Sequence, residues 1–521
     1  MNVEVCVEPS VRVNSIKASQ MRRSDIRAQT ASVVRLSQDE QLEISRQHVF
    51  WSRLSLVLTW IESRPAVFFL LFSFAFGSAI SIVVPPLRGP DEIAHFLRIY
   101  SYTQGGLLPA TEVNGRKGIF IEGELHSQLS FFKDAGERFG QNRGQGLRYG
   151  DIMKEFPPSS GTVNQEQATK FLPFAGTEGY TPVAYAPYLL AATIGNVLKL
   201  DFPNMLLLMR LLGLTTFTAV AAYAIKLTPK LKWAFVLIAM LPVSIYNRSV
   251  LSADGAALAY AMVVTALCFS AVRRQGRVWE RSLWMTLCAL SKQPQIAFVV
   301  LELMVYRIAE LRRRWTSLAV TTLPSLILSP LWVLAVSADI AVWRLAQAET
   351  YPREYFDPLW KLAYMWEHPL HFPLAAWTSI TAWGDRLWPE LIGILGWQDV
   401  WLPSWVYFVL TIILMVVSLQ RLNLDRTIRA RVAVITALGV LGYLVTVYLI
   451  FFLTYTPVTI NHVRGVQGRY FIIALPMAAI FFASLINVGL PRGVLATVAI
   501  AGSLVSGIVS FDALLRAHWY T

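Results

Sequence analysis

Five short stretches of this chain carry side chains able to do chemistry. The first is Pro85-Pro86-Leu87-Arg88-Gly89-Pro90-Asp91-Glu92-Ile93-Ala94-His95-Phe96, directly after the first long apolar run. A carboxylate there can take a proton from a hydroxyl or help hold a divalent cation. Asp91 and Glu92 are adjacent on one turn and cannot both aim at the same point, so one is expected to be chemical and the other structural. The other stretches supply Asp254; Lys292; Asp385, Trp397, Gln398 and Asp399; and His462, Arg464, Gln467 and Arg469. Arg464, Arg469 and Lys292 suit a phosphate, because a guanidinium grips two oxygens and an ammonium supplies a compact charge.

The elements that position these groups follow from composition. The chain has 521 residues, 55% hydrophobic and 15% charged, with a mean hydropathy of +0.47. A soluble chain carries more charge. About 20 apolar residues cross a bilayer, and many runs here reach that length. The runs are continuous rather than alternating, so an all-α polytopic membrane protein is expected and a β-barrel is not. The formal charge of +13 is read as cytoplasmic Lys and Arg facing anionic headgroups, which excludes a nucleic-acid role. Cys6, Cys268 and Cys288 have neither metal-ligand nor disulfide spacing. The first apolar run begins too late for a cleavable signal peptide.

Residues 1–63 read as a polar cytoplasmic tail leading into a juxtamembrane helix, and 514–521 as a short outer tail. Between them, 64–513 forms one membrane domain of about eleven spans. Basic residues before the first span put the N-terminus inside and Asp91 outside. The outer loops are 87–203, 338–402 and 454–469. The first is too long for a passive connector. Its residues from His95 onward have helical spacing and predict a short helix on the membrane surface. Residues 134–170, rich in Gly, Gln and Arg, are expected to be mobile. The segment 182–198 either lies at the outer interface or spans; the basic cluster Lys226, Lys230 and Lys232 favours the first. Two short apolar pieces around Ser291-Lys292-Gln293-Pro294-Gln295 read as broken helices lining a cavity. Every notable polar group thereby falls on the outer side, which suggests one catalytic or binding face.

Each group also has a plainer reading. Asp91 and Glu92 fit a helix start at the positive end of a dipole. Arg464 and Arg469 fit lipid headgroups, Lys292 fits snorkelling, and the histidines fit interfacial hydrogen bonding. Tryptophans at span ends are expected to be interface anchors. No zinc spacing and no phosphate loop occur, so no essential metal is expected, although a divalent cation stays open.

Several motifs together look like those of a bacterial membrane-protein family known as domain of unknown function 2142. They are Gly89-Pro90-Asp91-Glu92-Ile93-Ala94-His95-Phe96, Tyr185-Ala186-Pro187-Tyr188, Ser252-Ala253-Asp254, Lys292-Gln293-Pro294, Gly396-Trp397-Gln398-Asp399 and Gly465-Val466-Gln467-Gly468-Arg469-Tyr470-Phe471. Gln398 replaces an expected Leu and leaves Asp399 in place. The family in turn resembles the GT-C glycosyltransferases. That resemblance implies a GT-C-like bundle whose large first outer loop carries amphipathic helices, placed in the bacterial inner membrane. It implies a polyprenyl-phosphate-linked sugar donor, a glycan, lipid or protein acceptor, contact with membrane lipids, and a base just after the first span. Asp91 is preferred to Glu92 as that base. His95, Tyr185, Asp254, Lys292, Asp399, His462, Arg464, Gln467, Arg469 and Tyr470 are then substrate-binding candidates. A transporter or flippase of lipid-linked sugars is the competing reading, and an assembly subunit is a third.

Overall fold

The computed structural model describes residues 61–109, 112–113, 116–141, 147–156, 169–274, 276–347 and 351–520. Expectations for residues 1–60 lie outside the described residues. Glu62–Thr521 forms one compact unit.

Helices are numbered in chain order: α1 Pro65–Val83, α2 Glu92–Thr103, α3 Gly123–Gln141, α4 Pro182–Val197, α5 Phe202–Leu227, α6 Lys232–Met240, α7 Pro242–Ser249, α8 Asp254–Arg274, α9 Val278–Ser291, α10 Trp315–Gln347, α11 Pro358–Glu367, α12 His371–Ile392, α13 Ser404–Ser418, α14 Arg426–Tyr455, α15 Leu475–Ile486 and α16 Arg492–His518. Two 3₁₀ helices matter for the site, Gln293–Met304 and Gly468–Ala474. Proline starts α1, α4, α7 and α11, where its missing N–H has no intrahelical partner to lose. Pro85 and Pro86 follow the end of α1.

Among the described residues, seven helical segments are long and apolar enough to cross a membrane: Pro65–Val83, Phe202–Leu227, Asp254–Arg273, Trp315–Val336, Arg426–Tyr455, Gly468–Ile486 and Arg492–His518. The chain is therefore an all-α membrane protein in class. The remaining apolar runs of the expected spans are shorter or interrupted. Helix α13 has 15 residues, and the run at 233–247 breaks between α6 and α7 at Pro242. Side chains take up carbonyls freed at the break: Ser244 donates to that of Ile238 (2.6 Å) and Arg248 to that of Ala239 (2.7 Å). The most enclosed span is α8, which packs on α5, α9 and the 3₁₀ helix Gln293–Met304.

The stretch between α2 and α4 holds a feature that the sequence pattern did not announce. Strands β1 Glu112–Val113, β2 Arg116–Ile121 and β3 Lys170–Pro173 form an antiparallel sheet in the order β1-β2-β3. Gly118 is required there, since a Cβ would lie 2.2 Å from the Leu172 carbonyl oxygen. Part of the stretch expected to be mobile is instead helical, because α3 runs on to Gln141 and a short turn follows at Tyr149–Met153. The helix predicted from His95 onward forms as α2, and most of its residues are buried in the protein. Phe96 meets Phe202 edge-on at 4.9 Å, and Arg98 lies 4.0 Å over Tyr102 while donating to the Gly106 and Leu107 carbonyls.

Candidate functional site

The chain leaves α1 through its proline turn and reaches Asp91 with φ 54 and ψ 20, left-handed backbone that Asp tolerates better than most residues. Asp91 makes no capping hydrogen bond to α2, and its side chain is half exposed. The dipole-cap reading of this carboxylate therefore has no bond to support it. Glu92 is the opposite case. It is fully buried and accepts from Arg210 Nε (2.8 Å) and Nη2 (2.6 Å), and from the N–H groups of Leu251 (2.9 Å) and Gly89 (3.2 Å). Arg210 also donates to the carbonyls of Ser81, Val84 and Pro85. The pair ties the exit of α1 to α5 and to the start of α2. Sequence reading paired Glu92 with Asp91 as a catalytic candidate; the geometry leaves Glu92 no oxygen free for a substrate.

Asp91 opens onto a chain of alternating charges. Arg469 Nη2 lies 3.5 Å from Asp91, Arg469 Nε lies 3.9 Å from Asp254, and Lys292 donates to the other Asp254 oxygen. The Tyr470 ring lies 4.8 Å from the Lys292 ammonium and 5.3 Å from the Arg469 guanidinium, and the Tyr180 ring lies 5.9 Å from Lys292. His95 Nδ1 pairs with the Tyr185 hydroxyl at 2.6 Å and its ring packs on Tyr180 at 5.4 Å. Burial pulls the His95 imidazole down to about 4, against the raising influence of Asp91 and Asp254, so it is neutral at pH 7. Burial pushes the Tyr180 phenol up to about 12, so it stays protonated.

Local structure explains the convergence. Lys292 is an extended link between α9 and the 3₁₀ helix, with Pro294 blocking helical continuation. Gln293 Nε2 donates to the Gly179 carbonyl (2.8 Å) and Gln295 Nε2 to that of Ala257 (2.7 Å), which fixes the link against α8 and against the approach to α4. Asp254 begins α8, its N–H bound by Ser252 Oγ at 3.0 Å. Arg469 begins the 3₁₀ helix Gly468–Ala474. A Cβ at Gly468 would lie 1.9 Å from the Leu387 carbonyl oxygen, so only glycine allows this approach to α12. Lys292 has three donors and uses one on Asp254, and Arg469 Nε has no hydrogen-bond partner among the described residues. Both cations therefore retain capacity for an anionic ligand. Arg469 lies between Asp91 and Asp254, within reach of both carboxylates.

The fold thus brings together Asp91, His95, Tyr185, Asp254, Lys292, Arg469 and Tyr470. It sets others apart. Asp399 pairs with Arg88 at 2.9 Å and closes its own turn by accepting from Trp397 N–H at 2.8 Å. His462 lies 3.4 Å from the side chain of its neighbour Asn461, and no contact with the cluster is seen among the described residues. Arg464, expected on a phosphate with Arg469, is exposed, and its N–H donates to Thr456. Gly465, with φ 81, follows it. Gln467 precedes the 3₁₀ helix, and its Oε1 is buried without a partner among the described residues. Sequence reading missed Arg210 and Tyr180, and also the buried pair Arg281–Glu302 at 2.9 Å. Arg210 and Glu302 carried a usable signal, since a charge inside an apolar run is expensive without a partner.

Residues 74–480 match the model of a family described as "Predicted membrane protein (DUF2142)". The chain belongs to this family. All seven clustered residues fall within the matched region, as do Glu92 and Arg210. No curated protein and no solved structure matches the chain.

Proposed function

We propose that this family member is a membrane glycosyltransferase. It moves a sugar from a polyprenyl-phosphate donor to a glycan, lipid or protein acceptor at the outer face of the bacterial inner membrane. The observation that carries the reading is a half-exposed carboxylate, Asp91, in line with two aromatic-backed cations, Arg469 and Lys292. The GT-C likeness of the motifs supports it.

In this reading Asp91 takes the proton of an acceptor hydroxyl as that oxygen bonds to the anomeric carbon. The bond from that carbon to the phosphate oxygen breaks, and its electron pair leaves on the phosphate. The sugar passes through oxocarbenium character and inverts. Lys292 and Arg469 stabilise the phosphate charge, each worth about 3–4 kcal/mol if preorganised. Asp254 holds both cations in place. Lipid phosphate is already a good leaving group, so no acid is required, consistent with a neutral His95 that positions Tyr185 and Tyr180 instead.

The test is purified protein in lipid nanodiscs with a labelled polyprenyl-phosphate sugar and candidate acceptors. Transfer that disappears in Asp91→Asn while donor binding persists supports the proposal. Undiminished transfer in that variant sinks Asp91 as the base. Movement of intact lipid across the bilayer without transfer establishes a flippase instead.

A further inference from the structure

Asp91 also belongs to a closed circuit of polar groups that does not include Lys292. Arg469 contacts Asp91, and the neighbouring Gly468 N–H donates to Glu390 at 2.6 Å. Glu390 accepts from Arg386 at 2.7 Å, and Arg386 donates to Gln398 at 2.8 Å. Asp399, next in the chain, accepts from Arg88 at 2.9 Å, and Arg88 leads back through Gly89 and Pro90 to Asp91. Segments distant in sequence are thus joined around one rim. Gln398 holds its place with φ 63, an uncommon backbone for such a residue.

Two buried polar atoms on this circuit, Arg88 Nε and Gln398 Nε2, and one beside it, Gln467 Oε1 on the residue before Gly468, have no hydrogen-bond partner among the described residues. Buried polar atoms left unsatisfied cost about 1–3 kcal/mol each, so three along one rim mark a place where something polar docks. Their character selects the ligand. Two are donors and one is an amide acceptor, and three carboxylates share the rim. A multiply charged anion meets repulsion there. A sugar hydroxyl both donates and accepts, and so can satisfy either kind of atom. Trp397, on the same turn as Gln398, is 47% exposed and offers an aromatic surface of the kind that covers the C–H face of a pyranose or furanose. We propose that this rim, Arg88–Asp91–Arg469–Glu390–Arg386–Gln398, is the subsite for a neutral acceptor glycan, placing a hydroxyl at Asp91 opposite the donor phosphate. The assignment of one side to acceptor rests on the transferase reading; the affinity for a neutral glycan does not.

The experiment measures binding without turnover. Full-length protein in nanodiscs is titrated with neutral tetrasaccharides of mannose, galactose, rhamnose and arabinose, read by saturation-transfer NMR. Binding of decaprenyl phosphate is measured separately. Trp397→Ala and Gln398→Asn, the second chosen because Asn tolerates left-handed backbone, are expected to weaken the best tetrasaccharide by about tenfold or more, a difference of about 1.4 kcal/mol. Decaprenyl phosphate binding stays unchanged, and an unshifted melting temperature confirms folding. Unaltered tetrasaccharide affinity in both variants overturns the proposal, as does a wild-type protein that binds none of the panel. If both variants lose glycan binding but wild type never transfers sugar, the subsite stands and the transferase reading falls. If transfer proceeds with glycan affinity unmoved, the reverse holds.

Discussion

Asp91 and Glu92 are neighbours in sequence and opposites in structure. Glu92 is sealed, with four donors on its two oxygens and an arginine that is itself tied to three carbonyls. Asp91 has one long contact to Arg469 and a half-exposed side chain. A carboxylate bonded on every side is a rivet. One left under-bonded beside buried cations is available for a reaction. The left-handed turn at Asp91 makes the division, sending one side chain into the α1–α5 seam and leaving the other outside it.

The hardest way to break the comparison is to open the sealed side. Glu92→Ala leaves Arg210 charged, buried and unpaired, and should destabilise the fold by about 3–5 kcal/mol, read as a fall in melting temperature in detergent. The double variant with Arg210→Met should recover much of that loss. On the open side, Asp91→Asn should leave melting unchanged to within about 0.5 kcal/mol. Transfer should drop by about 100- to 10,000-fold, the range for loss of a general base. Equal damage to folding from both variants would erase the distinction.

A smaller effect sharpens the edge of the cluster. His95 titrates near 4 in the fold against 6.5 free, so the unfolded chain binds the extra proton between those values. Stability is then full above pH 6.5 and falls as pH drops toward 4, by about 3 kcal/mol in total. His95→Gln should flatten that acid slope in a pH series of melting temperatures. Smallest of all, Asp399→Asn should cost about 1 kcal/mol or less, since the Arg88 bridge is partly exposed. A larger loss in a denaturant titration would mean that the rim carries structure as well as ligand.

Much of this arrangement is legible in sequence. The apolar runs give an all-α membrane protein, and short motifs beside them supply Asp91, Asp254, Lys292, Arg469 and Tyr470, which do meet. Arg464 illustrates the limit: it stands only five residues before Arg469, yet it is exposed where Arg469 is largely enclosed. Glu92 illustrates another, because its partner Arg210 sits 118 positions away, and a lone charge in an apolar run announces a partner without naming it. Pairing of that kind depends on which helices touch, and periodicity within one helix does not encode it. The small sheet escaped for a related reason, since β3 has 4 residues and gains its identity only from β2.

The contact between Asp91 and Arg469 spans 378 positions. At about 5–20 residues per second of synthesis, that is a delay of roughly 20 to 75 seconds between the two residues. Throughout that interval the nascent protein already holds Asp91, and later Asp254 with Lys292, but lacks the guanidinium that joins them. A prematurely released chain ending shortly before Arg469 would carry the acid and most of the membrane domain without the junction. The cluster is therefore assembled only when nearly the whole polypeptide has been made.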